Sequence, residues 1–311
     1  MKKIVALAGG VGGAKLAWGL AQLLSEDELS IIVNIGDDFE HLGLWISPDL
    51  DTVTYTLAGL ANAATGWGRM DETWRCLSEL KKFGQPDWFG VGDRDLALHL
   101  TRSQLMREGK TLTESTRKIT HALGIKHPIL PASNERVPTL VHTKEMGVLA
   151  FQEYFVKNHC QPTMTQCEFK NIAKAKLSPE SRKALEEADG IIFCPSNPWV
   201  SISPILDIEN VRQIIGQKPS LAVSPIIGGK TIKGPAAKMY AEMGIEPSAL
   251  AVARHYQGLI RGMVIDVIDK GQVHEIERCG IIPFVTNTIM SDNPSRQKLA
   301  EECLDALGKI I

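Results

Sequence analysis

The chain has 311 residues, 44% of them hydrophobic, with 34 basic against 36 acidic side chains and a net charge of −2. That is ample for a buried core, as one large α/β domain or two. The absence of a basic excess, with aromatics at 6%, argues against nucleic acid or an anionic membrane and favours a small-molecule substrate.

The apolar run Ile4-Val5-Ala6-Leu7 reads as a strand that stops at Gly9-Gly10-Val11-Gly12-Gly13-Ala14-Lys15. The run is too short for the apolar stretch of a signal peptide. Leu16, Ala17, Leu20, Leu23 and Leu24 then form a helical stripe. A strand feeding a glycine loop and a helix is how α/β proteins hold phosphate. Backbone N–H groups can approach the oxygens there, and the helix N-terminus attracts negative charge. The dinucleotide fingerprint G-x-G-x-x-G does not fit, because Lys15 stands where its third glycine would be.

A second strand, Ile31-Ile32-Val33, runs into Asn34-Ile35-Gly36-Asp37-Asp38, and a further acidic cluster follows at Ser47-Pro48-Asp49-Leu50-Asp51-Thr52. Magnesium takes one or two carboxylates together with phosphate oxygens and water, so two loops donating one carboxylate each would suit it. Asp51 or Thr52 could instead cap a helix through Leu60.

From there to about Gly124 the pattern is helical, with segments expected at Asp71–Leu80, Asp93–Arg107 and Thr113–Leu123, the last capped at Thr113. Arg94 lies between Asp93 and Asp95 and reads equally as a structural ion pair or an anion ligand. His99 and Arg102 follow one and two turns on. Trp67, Trp74, Trp88 and Phe89 read as core residues, although Gly66-Trp67-Gly68 is an odd setting for a core tryptophan and would suit a flat ring system.

Residues 128–155 are rich in β-type side chains; a polar stretch follows, and Ser178-Pro179-Glu180 starts a helix. Two buried-type strands come next, each ending in a polar loop followed by a helix. Gly190–Cys194 stops at Pro195-Ser196-Asn197-Pro198, and Leu221-Ala222-Val223 stops at Ser224-Pro225. The segment from Ser224 to Lys230 and Thr231 imitates a P-loop but lacks its first glycine, and Pro225 removes an N–H. Ligands of parallel sheets bind at the carboxyl ends of the strands, so the loops after residues 8, 194 and 223 should converge with the aspartate loop after residue 35. The six cysteines form no Cys-x-x-Cys pair, and His159-Cys160 with Cys167 lacks zinc spacing. They read as reduced thiols, and a cytoplasmic location is expected.

The glycine loop, Asn34–Asp38, Ser47–Thr52, Gly66–Gly68, Gly92–Leu96, Leu130–Ser133, Pro195–Pro198, Ser201–Ile205 and Ser224–Lys230 together resemble the 2-phospho-L-lactate transferase family of deazaflavin coenzyme F420 biosynthesis, across essentially the whole chain. The resemblance implies a Rossmann-like α/β fold: a mostly parallel sheet flanked by helices, in one domain over 1–311, with a helical insertion at about 52–125. It implies a magnesium-dependent enzyme, usually a homodimer. The donor would be a guanosine diphosphate-linked three-carbon acid, and the acceptor the deazaflavin alcohol 7,8-didemethyl-8-hydroxy-5-deazariboflavin, with GMP released. Asp51 maps to the family's catalytic, acceptor-binding aspartate, and Asp37 is its partner in catalysis and in holding metal. Gly9, Gly10, Val11, Gly12, Gly13, Lys15, Arg94, Ser196, Asn197, Ser224 and Lys230 map to the nucleotide side. The first loop and the double Asp37-Asp38 look more like the bacterial branch, which tilts the donor towards the enolpyruvyl compound. The rival reading is a regulatory protein that binds a nucleotide sugar without turnover.

Overall fold

The computed structural model describes residues 2–62, 65–232 and 234–310; Met1, Ala63, Ala64, Lys233 and Ile311 lie outside it. Its strands are β1 (Ile4–Ala8), β2 (Leu29–Val33), β3 (Phe39–His41), β4 (Leu44–Ile46), β5 (Ile129–Pro131), β6 (Thr139–Thr143), β7 (Gly147–Ala150), β8 (Met164–Phe169), β9 (Gly190–Phe193), β10 (Ser220–Val223), β11 (Gly262–Asp266) and β12 (Ile282–Thr286). Seven of them form one parallel sheet in the order β12-β11-β10-β9-β1-β2-β5. The central strands are buried along their whole length, as expected when helices cover both faces of a parallel sheet. Successive strands are added to one side of β1 and then, from β9 on, to the other. The strand order therefore reverses between β1 and β9, and the crevice outside that point is where such folds bind ligands.

Helix α1 (Gly10–Ala21) begins one residue after the loop leaves β1, so the glycine run is itself the first turn of the helix. Gly12 and Gly13 let that turn press against the segment after β9. A Cβ at Gly12 would overlap the Pro195 carbonyl oxygen, and one at Gly13 would lie 2.6 Å from Ser196 Oγ. Helix α2 (Pro48–Leu57) starts at Pro48, with Ser47 at its N-cap position. Asp51 is thus inside the first turn and is not the cap that the sequence suggested.

Three helices fill the expected helical segment: α3 (Arg75–Lys82), α4 (Asp93–Arg107) and α5 (Leu112–Ala122). Helix α3 starts later than Asp71 because its cap comes from a distant residue: the Asp93 carboxylate accepts from the Arg75 and Cys76 amides. Helix α5 starts earlier than expected. Thr111 and Glu114 form a reciprocal capping box, while Thr113 is buried against Asn134. Helix α6 (Pro179–Glu187) is capped by Ser178 as expected.

Strands β11 and β12 of the parallel sheet, beyond the last strand read from the sequence, were not anticipated, nor were two smaller features. One is the β3–β4 hairpin; the other is an antiparallel sheet ordered β7-β6-β8, whose last strand lies in the stretch read as merely polar. Strand β8 exposes half of its side chains and buries only Met164, so it carries little of the apolar alternation that marks a strand. Trp67 and Trp74 are not core residues: they are 55% and 45% exposed. Among the described residues no helix is long and apolar enough to cross a membrane.

Candidate active site

A cavity of about 840 Å³ opens at the carboxyl end of the parallel sheet. Its lining includes Gly9–Gly12, Pro195–Asn197, Ser224-Pro225 and Thr288–Ser291 from the loops at the strand ends. It also includes Asp51 and Tyr55 of α2, Asp95 and His99 of α4, and the aromatic rings of Trp67 and Phe89. The four segments expected to converge do so. The loop after β12, which adds Thr288–Ser291, has no signal in the sequence.

The glycine loop is partly engaged by the protein's own groups. The Gly9 amide donates to Ser196 Oγ at 3.1 Å, and the Gly10 amide to Asp49 Oδ1 at 2.6 Å. Gly10 holds φ at +62°, a conformation that glycine adopts without cost. The amides of Val11 and Gly12 follow, at helical positions that have no carbonyl one turn back to bond. Both residues line the cavity, so they are the donors left for an anion. Lys15 Nζ, one turn on, donates to the Met290 carbonyl at 2.7 Å and also borders the cavity.

Next to the glycine loop, joined to it by the Gly10–Asp49 bond, lies a cluster of buried carboxylates. One amide nitrogen, Asn34 Nδ2, serves Asp37 Oδ1 at 3.3 Å, Asp49 Oδ2 at 2.9 Å and the Val200 carbonyl at 3.1 Å. Gln152 Nε2 reaches Asp37 Oδ2 at 3.2 Å. Two amide hydrogens cannot fully satisfy three acceptors. Burial, reinforced by Asp49 and Asp38, pushes the Asp37 carboxyl well above the usual carboxylate range. Burial also raises Asp49, to about 6, against the lowering effect of its bonds from Asn34 and Gly10. Asp38 is raised mainly by burial as well: Oδ2 accepts from Ser47 and Trp45, while Oδ1 has no partner. A site that pushes neighbouring carboxylates towards protonation is one that a cation would relieve.

Asp51 is differently placed. Arg102 grips it through both guanidinium nitrogens, with Nη1 3.1 Å from Oδ2 and Nη2 on Oδ1. His99 sits between two carboxylates, with Nδ1 3.7 Å from Asp51 and Nε2 3.2 Å from Asp95. Tyr55 donates to Asp95 at 2.5 Å.

The chain matches the model of the family described as 2-phospho-L-lactate transferase CofD over residues 4–290. The chain belongs to that family. It is 41% identical to a phosphoenolpyruvate transferase from Kitasatospora aureofaciens, over 97% of each chain. It is 35% identical to a 2-phospho-L-lactate transferase from Methanosarcina mazei, over 97% of this chain and 100% of the other. A solved structure from the UPF0052 family of Bacillus halodurans superposes with a TM-score of 0.64, covering 97% of this chain and 98% of that one, at 16% identity; this likeness concerns the fold. The chain is accordingly a CofD-family transferase of coenzyme F420 biosynthesis, carrying phospholactate or phosphoenolpyruvate.

For a CofD-family transferase, the placement of the expected residues is uneven. Gly9, Gly10, Val11, Gly12, Lys15, Asp37, Asp51, Ser196, Asn197 and Ser224 all border the cavity. Gly13, Arg94 and Lys230 do not. Gly13 packs on Ser196, and Arg94 is half exposed, facing Asp71 at 4.0 Å. In the loop after β10 it is Ile227, Thr231 and Ile232 that face inward, while Lys230 closes a tight turn through backbone bonds to Ile227. Sequence reasoning did not select Asn34, Gln152, Arg102 or His99. Arg102 and His99 had a usable signal: with Asp95 they share one face of α4, which is unusual for a helix otherwise packed on apolar residues.

Proposed function

We propose that this transferase takes a guanosine diphosphate-linked three-carbon acid as donor and the deazaflavin alcohol 7,8-didemethyl-8-hydroxy-5-deazariboflavin as acceptor, and releases GMP. The observation that carries the reading is a single cavity bordered together by the Gly9–Gly12 loop, the buried carboxylates Asp37, Asp49 and Asp51, and the rings of Trp67 and Phe89. Phosphoryl chemistry needs position and charge neutralisation more than a covalent nucleophile.

The residues fit magnesium. Asp37 and Asp49 crowd one amide of Asn34, and a carboxylate pair beside substrate phosphate is a common magnesium set. Among the described residues no three acidic, histidine or cysteine side chains make a closed metal cage, which leaves the remaining ligands to phosphate and water. Asp37 and Asp49 would hold the ion, which when bound would supply positive charge to the diphosphate. Asp51, already neutralised by Arg102, is assigned to the acceptor.

The Val11 and Gly12 amides bind the phosphate beside the nucleoside, and Trp67 and Phe89 bracket the flat acceptor ring. Asp51 accepts a hydrogen bond from the ribityl hydroxyl and aims its oxygen at the phosphorus bearing the acid. The new P–O bond forms there, the bond from that phosphorus to the GMP oxygen breaks, and the hydroxyl proton passes by way of Asp51 to solvent. The test supplies deazaflavin alcohol, magnesium and, separately, the lactyl, enolpyruvyl and glyceryl donors. GMP should appear with at least one of them. Folded protein that releases none with any donor refutes the reading and favours a non-catalytic binding role.

A further inference from the structure

The second and fourth helices of the chain meet through a ladder of ionisable groups, of which only Asp51 and Asp95 lie in the sequence motifs. Asp51 and Tyr55 are spaced i,i+4 on α2; Asp95, His99 and Arg102 are spaced i,i+4,i+7 on α4. The contacts run Tyr55–Asp95, Asp95–His99, His99–Asp51 and Asp51–Arg102. At 2% exposure Arg102 is the bulkiest of the fully buried side chains, and its Nε has no partner.

The ladder is a poor way to hold two helices together. Removing a guanidinium and a carboxylate from water costs several kcal/mol each, and apolar replacements of such pairs are often neutral or stabilising. The same two helices already join one apolar cluster, in which Tyr55 of α2 and Leu98 of α4 sit with Ile119 of α5. Asp51 also borders the cavity, so one face of the pair looks onto substrate. A planar fork gripping both oxygens fixes the plane of the carboxylate, which a point charge such as lysine does not do.

We propose that Arg102 is a positioning residue of the transfer reaction, holding the plane of the Asp51 carboxylate so that its free lone pairs meet the acceptor hydroxyl. The inference rests on the functional reading above. Arg102 would touch neither substrate, and its effect would pass through Asp51. Loss of the fork therefore lowers kcat and leaves donor binding alone.

The experiment compares wild type, Arg102→Ala and Arg102→Lys for GMP release at saturating acceptor and magnesium, with the donor varied and methylguanidinium added in parallel. Wild type must first turn over; if it does not, the functional reading falls and this inference with it. Given wild-type turnover, Arg102→Ala should lose about 100-fold in kcat with donor KM within about threefold. Methylguanidinium should restore at least about tenfold of that loss, because it returns the fork without the tether. Arg102→Lys should stay well below wild type, since it keeps the charge and loses the plane. Turnover of folded Arg102→Ala or Arg102→Lys within about threefold of wild type overturns the proposal. So does a loss that tracks the unfolded fraction alone and gains nothing from methylguanidinium, and so does failure of both variants to fold, since each of these assigns Arg102 to structure.

Discussion

Asp51→Asn separates the fold from the chemistry more sharply than any other single change. Read as a cap at a helix start, Asp51 would tolerate asparagine, which caps about as well. The structure sets a different expectation, because Asp51 is inside α2, buried, and gripped by Arg102. Removing one partner of a buried ion pair costs roughly 3–5 kcal/mol. Asparagine keeps one acceptor oxygen, so about 3 kcal/mol is expected. At about 2.1 cal/mol/K per residue, a chain of this length unfolds with an entropy near 0.65 kcal/mol/K, which converts the loss into a fall in Tm of about 5 °C. Calorimetry reads that number, and GMP release at a temperature well below the transition reads the chemistry, where a loss of about 10²-fold or more is expected. The double variant Asp51→Leu with Arg102→Met should recover most of the Tm, because the unpaired charge is gone, and none of the turnover. An Asp51→Asn protein with Tm within about 1 °C and turnover within threefold of wild type would refute both the ion-pair and the acceptor roles.

Gly12→Ala should destabilise the protein by about 1–3 kcal/mol and not merely weaken nucleotide binding, because the new methyl meets the Pro195 backbone; an unchanged denaturation midpoint contradicts that packing. Trp67→Ala should leave stability within about 0.5 kcal/mol, given its exposure, and raise acceptor KM about tenfold; an unchanged acceptor KM would remove Trp67 from the ring slot. His255 is pushed by burial, and secondarily by Arg212, from 6.5 to about 4. A lowered folded value means full stability above pH 6.5 and progressive loss as pH falls through 4, worth at most about 3 kcal/mol. His255→Gln should therefore flatten the stability profile between pH 6.5 and 4, and an identical slope in urea titrations would contradict the assignment.

Much of the fold was legible because its strands are short, wholly apolar runs that stop at glycine, proline or serine. Ile4–Ala8, Gly190–Cys194 and Leu221–Val223 are cases in point. The helix of residues 93–107 could be bounded from Gly92 and its acidic first turn. Boundaries failed where the capping group came from far away, as Asp93 does for α3, or from a box two residues upstream, as Thr111 does for α5. The site was legible in outline for a similar reason: glycines and clustered aspartates stand out along the chain. What linear reading missed were the side chains that acquire meaning across elements. Asn34 bridges a carboxylate of its own loop and one from the first turn of α2, Arg102 reaches Asp51 from another helix, and Thr288–Ser291 border the site from the loop after β12, which meets α1 where Lys15 reaches the Met290 carbonyl. The glycine loop also does more packing than its motif suggests, since two of its amides already serve Ser196 and Asp49.

The most direct test of the account is product analysis after mixing the protein with deazaflavin alcohol, magnesium and each of the three guanosine diphosphate-linked donors in turn. The account predicts GMP in equal amount to a product whose mass is that of the deazaflavin plus the phosphorylated three-carbon acid less one water, with turnover abolished when magnesium is chelated and restored when it is returned. GDP as the released nucleotide, or no product with any donor from protein that is folded and binds them, would contradict it.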